Sequence, residues 1–329
     1  MKTAVLLAIA GSALGRTFTV YNACPFTIWP AIFTDLSVGS AVPAIENGWE
    51  APAYSKRSFN VPDNWKVGRI WGRTQCDFSK TPAGINSCLT GGCNGGLVCD
   101  GRTGVGLPPV TFAEFTLGDT GGSDFTDVSL VDGFNLPMRI SNTGGCGVAE
   151  CTVNLNKDCP EALRGPLDSN GSVAACKSAC LAQLSPPSDS SSCCTGGFAK
   201  PSTCPPSGVE YYSYFKNPCP KSYVYVHDES SGTALWTCPS SKKADFLSRD
   251  YVVNDGKRTI PELHTVYFLR LLTFRKIFHT SLSYPPEWVI TLFDNAAAAF
   301  LASSFSLPRV SDENLHVAIA IGLSRRTRT

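Results

Sequence analysis

Trp71-Gly-Arg-Thr-Gln-Cys-Asp-Phe78, followed by Cys88-Leu-Thr-Gly-Gly-Cys-Asn-Gly-Gly-Leu-Val-Cys99, is the stretch whose reading decides the fold. Its cysteines at 76, 88, 93 and 99 sit in a glycine-rich run, 74–107, with too little apolar surface for a core of its own. Local bridges must therefore order it. Just before it, Gly68-Arg-Ile-Trp-Gly72 reads as a strand, rich in β-branched and aromatic residues. Inside it, Gly101-Arg-Thr-Gly-Val-Gly106 lacks the strand-to-helix setting of a nucleotide loop and reads as a disulfide-tied turn.

Working outward, the cysteine census sets the compartment. The chain has 15 cysteines, an odd number, all before position 239. So many thiols are hard to keep reduced in a cytosolic protein without a metal, and an odd number in a secreted protein means that one lacks its partner. The N-terminus agrees: Lys2 gives a positive start, Ala4 to Ala10 an apolar stretch, and Ala13-Leu14-Gly15 a small-residue cleavage site. Residues 1–15 are expected to be a signal peptide, with the mature chain starting near Arg16. The apolar stretch is too short for a membrane span, which needs about 20 residues. Secretion to the extracellular space or cell wall, with no stable membrane anchor, is the expectation. Formal charge is −2 up to Phe246 and +3 from Leu247 onward. The cysteine-bearing body thus lacks the basic footprint of a nucleic-acid binder.

Short strands punctuated by Gly, Pro and Asn fill the rest of the body. Phe18-Thr-Val-Tyr21, Thr27-Ile-Trp29 and Lys56-Arg-Ser-Phe-Asn-Val61 precede the decisive stretch, and Phe112-Ala-Glu-Phe-Thr-Leu117 and Asp127-Val-Ser-Leu-Val131 follow it around a Gly118-Asp-Thr-Gly-Gly122 turn. This spacing is that of an antiparallel sandwich, to which Trp29, Trp49, Trp65, Trp71 and Trp236 are assigned. From about 153 to 219 the composition turns to Cys, Ser and Pro, with a helix expected over Val173–Leu184. On that helix Cys176 and Cys180 would stand about 5–6 Å apart at Cβ, beyond disulfide reach, so each must bridge elsewhere. Adjacent Cys193 and Cys194 are likewise the ends of two bridges. A metal site is not expected, because the thiols are oxidised and no histidine lies among them; no cofactor is expected either. Asn170-Gly-Ser172 is an N-glycosylation sequon in a polar loop.

Together with Pro108-Pro to Glu114-Phe, Asp127 to Met138, Cys193-Cys194, Tyr212-Ser213 and Cys219-Pro220, the opening stretch resembles the signature of thaumatin-like proteins over about residues 17–246. The resemblance implies a mainly β fold, a flattened antiparallel β-sandwich with small disulfide-rich second and third domains. The sandwich is assigned to 16–73, 108–152 and 220–246, the loop domain to 74–107 and the helical disulfide domain to 153–219. Laid on this chain, the family's pattern pairs Cys76–Cys88, Cys93–Cys99, Cys146–Cys238, Cys151–Cys219, Cys159–Cys176, Cys180–Cys193 and Cys194–Cys204. Cys24 is left unpaired: the family's partner cysteine lies in a terminal Phe-Cys-Pro shortly after Asp245, where this chain has Leu247-Ser-Arg-Asp-Tyr251. Residues 247–329 are read as an atypical tail outside the fold, as a retained intron would produce. Gly92 stands where the family usually has Asp.

The resemblance also implies an acidic cleft lined by Arg69, Glu114, Asp127, Asp132 and Asp228. Glu114 and Asp132 match the family's proposed catalytic pair, and some members bind or hydrolyse β-1,3-glucan. Glycoside hydrolysis needs two carboxyls, one to protonate the glycosidic oxygen and one to attack or to activate water. Clustering raises the pKa of one so that it can serve as the acid. Asp127 and Asp132, five residues apart, would face opposite ways on an unbroken strand, so a bend is required and Gly133 is placed to supply it. Tyr212, Tyr214 and Phe215 are candidate sugar platforms, although aromatics at such positions more often belong to a core. Only His227 lies outside the tail, leaving a Ser or Cys triad without a good base. The expectation is a monomer that binds β-1,3-glucan or another wall polysaccharide and acts as a weak endoglucanase. The competing readings are a non-enzymatic antifungal or membrane-perturbing defence protein, a structural ion network around Arg69, and a fold kept for structure alone.

Overall fold

The structure, a computed structural model, describes residues 15–79, 82–118 and 121–250. The signal segment up to Leu14 and the tail from Tyr251 onward lie outside the described residues. Eleven strands are found among those described: β1 (Arg16–Asn22), β2 (Trp29–Thr34), β3 (Lys56–Val61), β4 (Gly68–Cys76), β5 (Cys88–Thr90), β6 (Phe112–Thr116), β7 (Ser123–Ser129), β8 (Met138–Asn142), β9 (Ala149–Cys151), β10 (Trp236–Pro239) and β11 (Phe246–Asp250). They form a five-stranded sheet in the order β3-β1-β11-β8-β9 and a six-stranded sheet in the order β10-β7-β6-β4-β2, with β5 hanging on β4. All pairings are antiparallel except β1 with β11.

Alternation along each strand sends one set of side chains between the sheets. In β1 the Phe18 ring sits in register with Phe59 of β3 and Phe246 of β11. It meets Phe115 of the other sheet at 4.9 Å and Trp65 at 5.5 Å, both edge-on. Such geometry adds about 0.5–1.5 kcal/mol per pair beyond the area buried. Ile32, Ile70, Ala113 and Val128 complete this core from the six-stranded sheet.

The opposite face of the six-stranded sheet is also covered. Trp71 and Phe112 point there and pack with Ala31, Val110 and the Cys93 and Cys99 sulfurs, so Trp71 belongs to an outer cluster rather than to the space between the sheets. Arg73, fully buried on the same face, donates to the carbonyls of Trp29 (2.8 Å), Gly96 (2.6 Å) and Leu97 (2.8 Å) and locks the 88–107 loop onto the sheet. Burial pushes this guanidinium down to about 10.

Seven disulfides join Cys76–Cys88, Cys93–Cys99, Cys146–Cys238, Cys151–Cys219, Cys159–Cys176, Cys180–Cys193 and Cys194–Cys204. Cys24 is free and buried, its thiol pushed far up by burial and then by the nearby Asp250 charge.

Two expectations need correction. Val173–Leu184 is not a helix. Cys176 exchanges both backbone hydrogen bonds with Phe134, at 2.8 Å each, and Ala174 donates to Pro166, so the groups that a helix would pair internally are already used. A single turn remains, with Ala182 donating to Ser178 and Gln183 in the left-handed region. The α-helix found among the described residues is instead α1 (Tyr212–Lys216). Nor does the fold stop at Phe246: Leu247, Ser248, Arg249 and Asp250 continue β11 between β1 and β8, so the tail boundary moves to at least Asp250.

Candidate functional site

The site is built on the outer face of the six-stranded sheet, beyond the Trp71–Phe112 cluster. Strand registers place Arg69 (β4) opposite Glu114 (β6), and Glu114 opposite Asp127 (β7), so the three form one row across three strands. Arg69 Nε donates to Glu114 Oε1 at 2.7 Å, both side chains being partly exposed. The guanidinium also lies 5.0 Å from the centre of the Phe112 ring, which fixes its plane over the sheet.

Asp127 closes the row in a different state. It is buried, and its Oδ1 has no hydrogen-bond partner. Burial first, then the Glu114 and Glu229 charges, push its carboxyl well above the usual aspartate range, against the pull of Arg69. After β7 the chain turns: Gly133 donates to Leu130 at 2.9 Å and takes φ +93°, a conformation that favours glycine. This turn carries Asp132 away from the strand. Burial raises the Asp132 carboxyl too, opposed by Arg69. Arg69 thus opposes the upward push on both aspartates and is also the partner of Glu114.

Asp132 lines a cavity of about 140 Å³ between this turn and the disulfide-rich segment. Its walls include Val131, Leu181, Glu210, Tyr212, Val224 and Val226. The Tyr212 hydroxyl, pushed up by burial and by Asp228, donates to Asp228 at 2.9 Å. The cavity is thus apolar along its sides, with Asp132 and Glu210 as its acids.

The remaining expected residues are placed as follows. Asp228 is fully buried and already engaged, accepting from Lys216 Nζ (2.8 Å), Tyr212 (2.9 Å) and the Val224 amide (2.9 Å). It ties α1 to the 222–231 segment and is no open cleft acid. Phe215 is 2% exposed and belongs to the main core, although it backs the cavity. Tyr214 spends its hydroxyl on the Leu155 carbonyl. Of the three aromatics, Tyr212 alone combines partial exposure with a place on the cavity.

Two residues that the sequence reading passed over belong here. Glu229, the exposed neighbour of Asp228, acts on Asp127, and Tyr223 lies against Glu229. The adjacent acids Asp228-Glu229 were visible in the sequence, but not which of them turns outward. Among the described residues no group of three or more His, Cys, Asp or Glu is arranged to hold a metal ion, and no helix is long and apolar enough to cross a membrane. The Asn170 sequon sits exposed at a turn in which Gly171 donates to Asp168.

The model of the thaumatin family matches residues 22–248. Thaumatin-like protein 1a from Malus domestica is 42% identical over 243 residues, 72% of this chain and 91% of that protein. Pathogenesis-related protein 5 from Arabidopsis thaliana is 40% identical over 230 residues, 69% of this chain and 87% of its own. Among solved structures, a GH family 64 laminaripentaose-producing β-1,3-glucanase from Paenibacillus barengoltzii aligns over 73% of this chain and 75% of its own, with 14% identity and a TM-score of 0.45.

Proposed function

The chain belongs to the thaumatin family, and on that premise we propose that it binds a neutral β-1,3-glucan along the Arg69–Glu114–Asp127 row and the adjoining Asp132 cavity, and hydrolyses it weakly. The observation that carries this reading is the contrast between two carboxyls around one cation. Glu114 is bonded by Arg69 Nε at 2.7 Å and partly open to solvent. Asp132 lies in an apolar-walled cavity where burial favours its protonated form. Glycoside hydrolysis uses such a pair. Asp132 is suited to protonate the leaving oxygen, and Glu114 to attack the sugar or activate a water, while Arg69 restrains the Glu114 carboxylate. Tyr212 offers the ring on which a sugar face can rest.

The seven disulfides fit an oxidising, extracellular setting. We extend the proposal to a secreted monomer acting at the cell wall, carrying its glycan at Asn170.

The test is to measure retention on insoluble β-1,3-glucan together with reducing-sugar release. Glu114→Gln and Asp132→Asn are each expected to keep retention within a few-fold and to lower release by about 10²–10⁴, the usual contribution of a positioned acid or base. Release that survives both substitutions removes the catalytic assignment. Retention without release in the parent protein leaves a binder and excludes the hydrolase.

A further inference from the structure

Each wall of the cavity beside Asp132 is clamped from outside. The turn after β7 is fixed where the Val110 amide donates to the Asp132 carbonyl at 3.1 Å. The Ser178–Leu181 and Ser192–Cys193 walls are joined by the Cys180–Cys193 disulfide. α1 and the 222–231 segment are tied through Asp228, which accepts from the Tyr212 hydroxyl and the Val224 amide at 2.9 Å each. Glu210 is set by its own amide, which donates to Ser192 Oγ at 3.3 Å. Walls held in this way keep the space from closing, so the cavity is preformed for an occupant.

Size and lining define that occupant. The volume of about 140 Å³ is close to the roughly 150 Å³ in which a cavity of Leu, Ile and Phe takes up one benzene. There is room for a single six-membered ring. Leu181, Val209, Val224 and Val226 form aliphatic walls, and Tyr212, Phe215 and Tyr225 aromatic ones. Both tyrosine hydroxyls are spent elsewhere, on Asp228 at 2.9 Å and on the Cys204 carbonyl at 3.3 Å, which leaves their rings as the contact they offer. A sugar ring wholly inside would keep most of its hydroxyls unpaired against such walls, so the body of the occupant is apolar. Its polar part is set by Asp132 and Glu210, whose carboxyls accept no hydrogen bond among the described residues, unlike that of Asp228. No Lys, Arg or His is among the described residues that line the cavity. Arg69, which acts on Asp132 from the neighbouring row, is bonded to Glu114 at 2.7 Å. The charge that complements the cavity is therefore positive.

We propose that this cavity is a binding site for a one-ring primary amine, with the ring among the aliphatic and aromatic walls and the ammonium paired with Asp132, Glu210 adding a second negative charge. The site goes beyond the glucan reading, because a neutral glucan offers those carboxyls no charge. Asp132 is its one link to that reading. A bound amine holds Asp132 as a carboxylate and withdraws it from the role of acid, so the amine acts as an inhibitor of glucan hydrolysis. Only the sugar-release arm of the test below rests on the function proposed above.

Benzylamine is the probe, titrated by calorimetry into the folded, disulfide-intact protein beside benzyl alcohol, which has the same size and no charge, and 1-naphthylmethylamine, which carries a second ring. Benzylamine is expected to bind with a Kd of about 1 mM or tighter, and benzyl alcohol about tenfold more weakly, the difference that one half-buried charged hydrogen bond makes. The two-ring amine should bind more weakly than benzylamine. Asp132→Asn should erase the tenfold preference and leave benzyl alcohol binding unchanged, which also shows that the cavity is still formed. Glu210→Gln should weaken benzylamine by about two- to threefold, as for an exposed charge. Val226→Trp, at a partly exposed wall position, should weaken both one-ring ligands. Benzylamine that fails to bind below about 10 mM, that binds no better than benzyl alcohol, or that is indifferent to Asp132→Asn overturns the proposal. Saturating benzylamine should lower reducing-sugar release from β-1,3-glucan by the parent protein. Amine binding in a parent that releases no sugar upholds the amine site and removes the hydrolase. Release that persists at saturation, with the calorimetric results as expected, takes Asp132 out of the catalytic pair and leaves the amine site standing, so the two failures are told apart.

Discussion

A side chain on Gly92 would overlap the Ile85 backbone carbonyl. The family's usual Asp at this position has no room here, because the 84–93 loop is drawn in on itself, with Ser87 donating to Gly84 and Leu107 to Gly92. Gly92→Ala is expected to cost about 1–3 kcal/mol, the typical penalty for overpacking. Gly84→Ala in the same loop meets nothing within 4 Å and should cost almost nothing. Urea unfolding midpoints of the two variants, with disulfides intact, check this pair, and equal stability would mean that the loop is slack. The cleft shows the same limit on what single residues reveal in sequence. Arg69, Glu114 and Asp127 were legible as candidates because motifs place them, and strand register then sets them side by side. Asp228 and Glu229 differ by one position, and the Lys216 ammonium, at 2.8 Å, is the charged one of the three donors that turn Asp228 inward. Nothing in the local sequence announces that partner, which comes from a helix of five residues.

Elements whose bonds are local or follow strand alternation were readable; those fixed by distant partners were not. Lys56–Val61 occurs as a strand with the bounds that its alternation suggests, Phe59 and Val61 facing in. Val173–Leu184 reads as helical because Ala, Lys and Leu favour helices, yet bonds from Cys176 to Phe134 and the disulfide to Cys159 hold its first half extended, and only a turn remains beyond Ser178. The end of the last strand was lost for another reason. Leu247-Ser-Arg-Asp250 departs from the family's wording, but strand pairing needs only backbone, and β1 and β8 supply it from both sides. Because β11 is a central strand, a proline within it removes a ladder hydrogen bond and clashes with its neighbours. Ser248→Pro is expected to destabilise the protein by about 1–3 kcal/mol, the cost of leaving a buried ladder partner unsatisfied. Thermal unfolding followed by near-ultraviolet circular dichroism measures this. An unchanged midpoint would put the edge of the fold back at Phe246.

At the scale of the whole molecule, buried acids oppose exposed ones in setting the pH of greatest stability. Asp250, at the end of β11, is 2% exposed, its Oδ1 has no hydrogen-bond partner, and its Oδ2 lies beside Gly72. Burial raises it from the ordinary value near 3.8 to about 7. An acid raised in the folded state binds more protons there than in the unfolded chain, so stability falls as pH climbs from about 4 to about 7 and then levels. The full effect of such a displacement is about 4 kcal/mol. Asp127 and Asp132 are raised as well and act in the same direction. Asp35, Glu46, Asp63 and Asp100 are lowered: Ser37 bonds Asp35, Arg57 bonds Glu46 and the Thr103 amide bonds Asp100, while Lys243 and Arg16 overcome the burial of Asp63. Their contribution is present above about pH 4.5 and is lost as pH falls through their folded values. The two sets leave a maximum near pH 4–5, on the acid side of neutrality. Calorimetric melting from pH 3 to 8 should show it, with a decline toward pH 8 that Asp250→Asn flattens. If the parent protein melts highest at pH 7–8, or if Asp250→Asn leaves the decline intact, the buried carboxyl is not what limits this fold at neutral pH.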